Sequence, residues 1–236
     1  MQNNFFLLII FLTFFTQNFA RGHEINEKEI NKIIEKFIIN NPRMIENSLI
    51  NFKKSKSKEK FVKTLSKLKK IPNPSLNQYQ SDLTIYEFFD YNCGYCKVVM
   101  QSLFNVYHSD KKISIVFVEL PILSETSVLA ALASLAADKQ KRYTDFHIKL
   151  MKNKGKINEN VLFNIAKSLK LNLSKFKNDF SNDKLMSIVN LNREIAKDLN
   201  LRGTPAFLIG NSVYAGAMSE EDLIKAIKFE RKKLKN

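Results

Sequence analysis

Apolar positions first recur at helical spacing just past the apolar start of the chain. Ile30, Ile33, Ile34, Phe37 and Ile38 follow the i, i+3, i+4, i+7 pattern of an amphipathic helix. Asn40-Asn41-Pro42 breaks that pattern, and a second helix carrying Met44, Ile45, Leu49 and Phe52 is predicted from near Pro42. A third, lysine-rich stretch carries Phe61, Leu65 and Leu68. Such stripes bury little alone, so residues 24–70 are expected to pack on the main domain or on their copy in another subunit. Ile71-Pro72-Asn73-Pro74-Ser75 reads as a linker, because both prolines oppose helix. This divides the chain into an N-terminal helical segment, 21–72, and a main domain, 76–236.

The period then changes. Leu83-Thr84-Ile85-Tyr86-Glu87-Phe88-Phe89 is β-rich and predicts a buried strand, which ends at Asp90-Tyr91-Asn92. Cys93 follows at once. Residues 97–107 predict a helix with Val98, Val99, Leu103 and Val106 as its apolar set. Ile113-Ser114-Ile115-Val116-Phe117-Val118 is a second strand, closed by Pro121. Residues 125–199 show only helical patterns, too much for a simple βαβ crossover, so a helical insertion over about 122–200 is expected between two strands of one sheet. Ala206-Phe207-Leu208-Ile209 and Ser212-Val213-Tyr214-Ala215, joined by Gly210-Asn211, predict a hairpin. Ser219 caps a last helix, with Glu220, Glu221 and Asp222 in its positive first turn. The class is α/β, without internal repeats.

Composition adds a compartment. Among 236 residues, 44% are hydrophobic and 26% charged, the balance of a soluble globular protein. The opening run Phe5-Phe6-Leu7-Leu8-Ile9-Ile10-Phe11-Leu12-Thr13-Phe14-Phe15 has the length of a signal-peptide core and is short for a membrane span. Residues 1–20 are therefore expected to be a signal cut after Ala20, which directs export to the periplasm. Two features depart from the usual pattern: no Lys or Arg precedes the run, and Asn18 stands where a small residue is common. An uncleaved anchor is the weaker alternative. A buried core helix is weaker still, because the apolar pattern stops abruptly at Arg21. The net charge is +15, much of it from Lys53, Lys54, Lys56, Lys58, Lys60, Lys63, Lys67, Lys69 and Lys70. These lysines suit a solvated helix face. Aromatics are not interleaved with them as a base-stacking surface requires, so no nucleic-acid partner is expected.

The chain has two cysteines, Cys93 and Cys96. In an exported chain a lone, closely spaced pair of thiols is telling. At a strand-to-helix junction, free backbone N–H groups and the helix dipole favour negative charge on the first sulfur. Cys93 is thus expected to be exposed and to attack as a thiolate, and Cys96, one turn further, to be more buried and to resolve the mixed disulfide. Half a zinc site is the competing reading, but structural zinc needs about four ligands. No other Cys exists, and His23, His108 and His147 have no ligand spacing. Cu(I) held by both thiolates stays open. A purely structural bridge closing so short a loop stabilises little. Thr204-Pro205 precedes the third predicted strand. About one X-Pro bond in twenty is cis in folded proteins. Beside a Cys-x-x-Cys after a strand, a cis-proline here would lie against the disulfide, and the Thr204 backbone can bind an extended substrate peptide by strand addition.

Phe88-Phe89-Asp90-Tyr91-Asn92-Cys93-Gly94-Tyr95-Cys96-Lys97, the helical insertion and Gly203-Thr204-Pro205 together resemble the DsbA-like family of thioredoxin-fold proteins, over residues ~80–234. The stretch Ile34-Glu35-Lys36-Phe37-Ile38-Ile39-Asn40-Asn41-Pro42-Arg43-Met44-Ile45 looks like the helical oligomerisation segment of the ScsC type. The resemblance implies a thioredoxin-like fold and a thiol–disulfide oxidoreductase that needs no cofactor. It implies Cys93 as nucleophile, Cys96 as resolving thiol and Pro205 as the cis-proline. Glu87 matches the buried acid beneath the cysteines that relays a proton; otherwise it is a carboxylate at the sheet's edge. Tyr95 contacts substrate or shields the disulfide. The strongest oxidases of the family carry Pro-His where this chain has Gly94-Tyr95, and Thr204 is the residue type of isomerase-like relatives. A less oxidising disulfide is therefore expected. His108 reads as a surface residue, and nothing marks His147 out.

The function expected is the formation or isomerisation of disulfides in unfolded or misoxidised exported proteins, with a redox partner in the membrane and homo-oligomerisation through residues 24–70. A periplasmic reductase and a Cu(I) carrier or holdase are the alternatives.

Overall fold

The computed structural model describes residues 26–235. The export signal expected over 1–20 lies outside them, as does His23. Among the described residues no helix is long and apolar enough to cross a membrane. The chain divides into two compact units after Ser57.

Helix α1 (Glu27–Asn40) starts where the Asn26 side chain accepts from the Lys28 N–H at 3.1 Å, with Glu27 and Glu29 in the first turn. It ends where the Asn41 side-chain amide donates to Phe37 O at 2.8 Å, and Pro42 opens the next helix at the position that wastes no N–H. None of its residues is buried. Helix α2 (Pro42–Leu68) differs from expectation. The predicted second and third helices are one, because no Gly or Pro interrupts residues 43–68 and lysine tolerates helix well.

The last turns of α2 belong to the second unit. Leu68 is buried, and Phe61 and Leu65 pack in the same cluster with Tyr86, Phe88, Val118 and Leu208. The segment boundary read at 72–76 thus lies inside this unit, and the predicted linker runs at its last residue into a short strand, β1 (Ser75–Leu76). Two residues carry no apolar run, so only pairing with a neighbour reveals them as a strand.

Strands β2 (Leu83–Phe89), β3 (Ile113–Glu119), β4 (Ala206–Ile209) and β5 (Ser212–Ala215) complete a sheet of order β1-β3-β2-β4-β5. β2 and β3 are parallel; the other pairs are antiparallel. β2 is therefore central and buried on both faces, which is why it reads as a continuous apolar run. Alternation sends Leu83, Ile85 and Phe89 into the larger core and Tyr86 and Phe88 into the smaller one.

Helix α3 (Gly94–Ser109) follows β2 and buries Cys96, Val99, Met100, Leu103 and Val106. Val98, read as part of the apolar set, is 71% exposed. Between β3 and β4 come α4 (Glu125–Asp138), α5 (Tyr143–Met151), α6 (Glu159–Ser168), α7 (Leu173–Phe180) and α8 (Asp183–Asp198), the expected insertion. Helix α9 (Glu220–Lys235) closes the order. Its buried Glu230 accepts from the Ser212 hydroxyl at 2.7 Å and the Asn211 N–H at 3.2 Å. Gly210 has φ +58°, and a Cβ there would meet the Glu230 carboxylate at 2.8 Å, so only glycine suits this turn.

Candidate active site

β2 delivers the chain to the turn Asp90-Tyr91-Asn92, and Cys93 is the N-cap of α3. Asp90 shapes the turn. Its carboxylate accepts from the Asn92 N–H at 2.8 Å, the Ile122 N–H at 2.9 Å and the Leu123 N–H at 3.0 Å. The Asn92 side chain in turn donates to Ser127 Oγ at 2.9 Å, near the start of α4.

Both cysteines are free thiols. The Cys96 N–H points at Cys93 Sγ from 3.4 Å, as the end of a helix presents a free donor. Cys96 is fully buried, and burial raises its thiol well above the usual range. Cys93 departs from expectation: it is the more open of the two, yet only 7% exposed. The cause is a loop more than a hundred residues away. Cys93 Sγ donates to Thr204 O at 3.2 Å. The Thr204–Pro205 peptide bond is cis, and Pro205 O accepts from the Gly216 N–H at 2.9 Å, which ties the loop to the end of β5. Thr204 Oγ1 is buried without a hydrogen-bond partner among the described residues. Tyr95 is 71% exposed between the two cysteines, beside Val98.

Glu87 is not at an edge. It lies mid-strand in β2, opposite Phe117 on β3 and Phe207 on β4, and is 1% exposed. Alternation places it on the face of Ile85 and Phe89, the face that also packs Cys96. Neither carboxyl oxygen has a hydrogen-bond partner among the described residues, and burial pushes its titration up to about 8.

A second group of buried polar side chains lies on this face. Glu119, at the end of β3, accepts on Oε1 from the Tyr91 hydroxyl at 3.1 Å and the Tyr143 hydroxyl at 2.8 Å. The Tyr91 hydroxyl also contacts His147 Nδ1 at 3.0 Å. His147 is fully buried, its ring between those of Phe89 and Phe117, and burial lowers its titration to about 3. Sequence reading passed over His147. The signal was present: Tyr143, Phe146, His147, Leu150 and Met151 form the buried stripe of α5, so the histidine sits among core positions. His108 is exposed near the end of α3, as expected. Among the described residues no three His, Cys, Asp or Glu side chains converge as a metal site.

The family model described as Thioredoxin matches residues 75–229. The chain is 26% identical over 179 residues to the "Probable disulfide bond formation protein D" of Bacillus cereus, covering 70% of this chain and 80% of that one. Among solved structures, the thiol-disulfide exchange protein alpha-DsbA2 of Wolbachia pipientis superposes with a TM-score of 0.69 at 26% identity, over 74% of this chain and 96% of that one. ScsC of Proteus mirabilis, in a compact conformation, gives 0.66 at 25% identity, over 89% of this chain and 100% of that one.

Proposed function

The chain belongs to the thioredoxin family, and from that premise we propose that it is a thiol–disulfide oxidoreductase acting on exported proteins through Cys93 and Cys96. The observation that carries the reading is the meeting of the pair with the cis Thr204–Pro205 loop, 3.2 Å from sulfur to carbonyl oxygen. A dithiol at a helix N-terminus is suited to thiolate chemistry, and the backbone at Thr204 is suited to an extended peptide beside it.

In the oxidising direction a substrate thiolate attacks Cys93 Sγ of the disulfide form. The Cys93–Cys96 bond breaks, and Cys96 leaves with the electron pair. It takes a proton from Glu87, since a buried thiolate is costly. A second substrate thiolate then attacks its partner sulfur, Cys93 leaves, and substrate disulfide and enzyme dithiol result. Isomerisation runs through the same mixed disulfide, started by Cys93 as nucleophile. Tyr95, exposed between the cysteines, contacts the bound segment. A redox partner in the membrane accepts the two electrons, and residues 1–20 direct export to the periplasm.

The test is refolding of a scrambled-disulfide substrate, run beside a glutathione titration. Catalytic amounts are expected to accelerate recovery over glutathione alone; no acceleration and no exchange would sink the reading. The titration fixes direction, since about 30 mV is a tenfold change in equilibrium for two electrons.

Oligomerisation through α1 belongs to the same reading. Ile33, Ile34, Phe37 and Ile38 are 65%, 49%, 50% and 47% exposed, a stripe suited to a second copy of itself. Light scattering is expected to give a multimer for the chain from residue 21 and a monomer once 21–57 are removed. A monomer in both cases refutes it.

A further inference from the structure

The exchange reaction as derived uses Glu87 and leaves the other buried polar groups without a part. Those groups surround the turn that carries Cys93. Asp90 ties that turn to the main chain at Ile122 and Leu123 through its carboxylate. Tyr91, the next residue and two before Cys93, points inward, is 1% exposed and reaches Glu119. A strand end, the active-site turn and a helix of the insertion thus meet at one phenol.

The protons of this group can be assigned. Tyr91 has one hydroxyl proton. Given to Glu119 Oε1, it leaves the phenol oxygen to accept from His147, which then carries its proton on Nδ1. Nε2 of His147 has no partner among the described residues, as fits a bare ring nitrogen among aromatic rings. The groups facing Glu119 are Glu87 on β2, Asp90 and Tyr91 on the turn, and Tyr143 and His147 on α5. None is a cation, because burial keeps His147 neutral. Burial and the neighbouring Asp90 and Glu87 all oppose a charge on Glu119, and two phenols on one oxygen do not outweigh them.

Resting on the exchange reading, we propose that Glu119 and Tyr91 are a positioning pair for the reaction at Cys93: Glu119 receives the Tyr91 hydroxyl at 3.1 Å and thereby fixes the turn that presents the nucleophile. Tyr143 holds the acid from α5, and His147 fixes the direction of the Tyr91 proton. Glu87 remains the carboxyl that takes up charge during turnover.

The test follows reaction of the full chain with oxidised glutathione from pH 5 to 9 in the parent, Y91F, E119Q and the double variant. Near-UV circular dichroism reports packing. Y91F removes the anchor and is expected to react about tenfold more slowly at every pH, since a small misplacement of a reacting group is enough for such a loss. E119Q keeps the neutral acceptor and is expected within about twofold of the parent, with an unchanged pH profile. The double variant should match Y91F, since both residues act through one bond. Y91F at the parental rate overturns the proposal. So does E119Q with an altered profile, which would mean that Glu119 is charged; this second arm decides even where Y91F packs poorly. A parent chain that exchanges no thiols would instead overturn the function itself, so the two failures are distinguishable.

Discussion

Replacing Cys93 with Ala will abolish thiol–disulfide exchange, by roughly three orders of magnitude or more, while Cys96→Ala will start the reaction and fail to finish it. The asymmetry follows from burial. Cys93 is the sulfur with residual exposure, and it receives a helix N–H at 3.4 Å. Cys96 is fully buried, and its thiol is pushed up by desolvation, so an outside disulfide cannot reach it and it does not ionise unaided. On the proposed roles, the Cys96→Ala chain keeps the nucleophile and loses the resolving thiol, whose advantage is its high effective concentration beside the mixed disulfide. Adducts of substrate on Cys93 should therefore accumulate and appear as a mass shift on non-reducing gels. Cys93→Ala should form none. Retained exchange in Cys93→Ala, or no trapped adduct in Cys96→Ala, would reverse the assignment of roles.

Glu87→Gln will make the protein more stable at pH 8 and slower at its chemistry. The folded carboxyl titrates at about 8 against 4.5 for the free group. A raised folded value means that the native state binds the extra proton between these limits. Its contribution to stability is then complete below pH 4.5 and is lost as pH rises to 8. The gap between 4.5 and about 8 corresponds to on the order of 5 kcal/mol at full effect, at about 1.4 kcal/mol for each pH unit. Glutamine escapes this loss, so the variant should match its parent near pH 4 and exceed it by several kcal/mol at pH 8. His147 acts in the opposite sense. Its folded value of about 3 lies below the ordinary 6.5, so stability is lost as pH falls from 6.5 to 3. Together the two groups make a stability plateau between pH 4.5 and 6.5, with Glu87 governing the alkaline side. Denaturant midpoints at pH 4, 5.5 and 8 measure this. Equal midpoints for Glu87→Gln and parent at pH 8 would mean that Glu87 is not the buried proton holder. The same variant should slow exchange by about a hundredfold at neutral pH, through loss of the proposed proton donor to Cys96.

These two predictions draw on the sequence unequally. Strand, turn, Cys93 and helix are contiguous, and their order was legible because strand alternation, capping and helical spacing act over a few residues. The same holds for the break at Asn41-Pro42, the hairpin at Gly210-Asn211 and the capped start of α9. The strand β1 was not legible, since it exists only by pairing with β3. The single helix α2 was missed because a change in composition at the lysines was read as a change in structure. The openness of Cys93 was overestimated, because the group that covers it is 111 residues away.

What the sequence determined by itself is the chemistry available: two thiols one helical turn apart at a strand-to-helix junction, an X-Pro bond before a later strand, and a helical insertion between. These rest on local geometry, which residue spacing carries. Only the tertiary structure decided how that chemistry is tuned. It made β2 central, which took Glu87 from a candidate for the sheet's edge to a buried carboxyl with no hydrogen-bond partner among the described residues. It brought Tyr91, Glu119, Tyr143 and His147 together across separations of 24, 28 and 56 residues. Proton affinity is set by desolvation and by the nearest charges, and both depend on which distant segments fold against a residue.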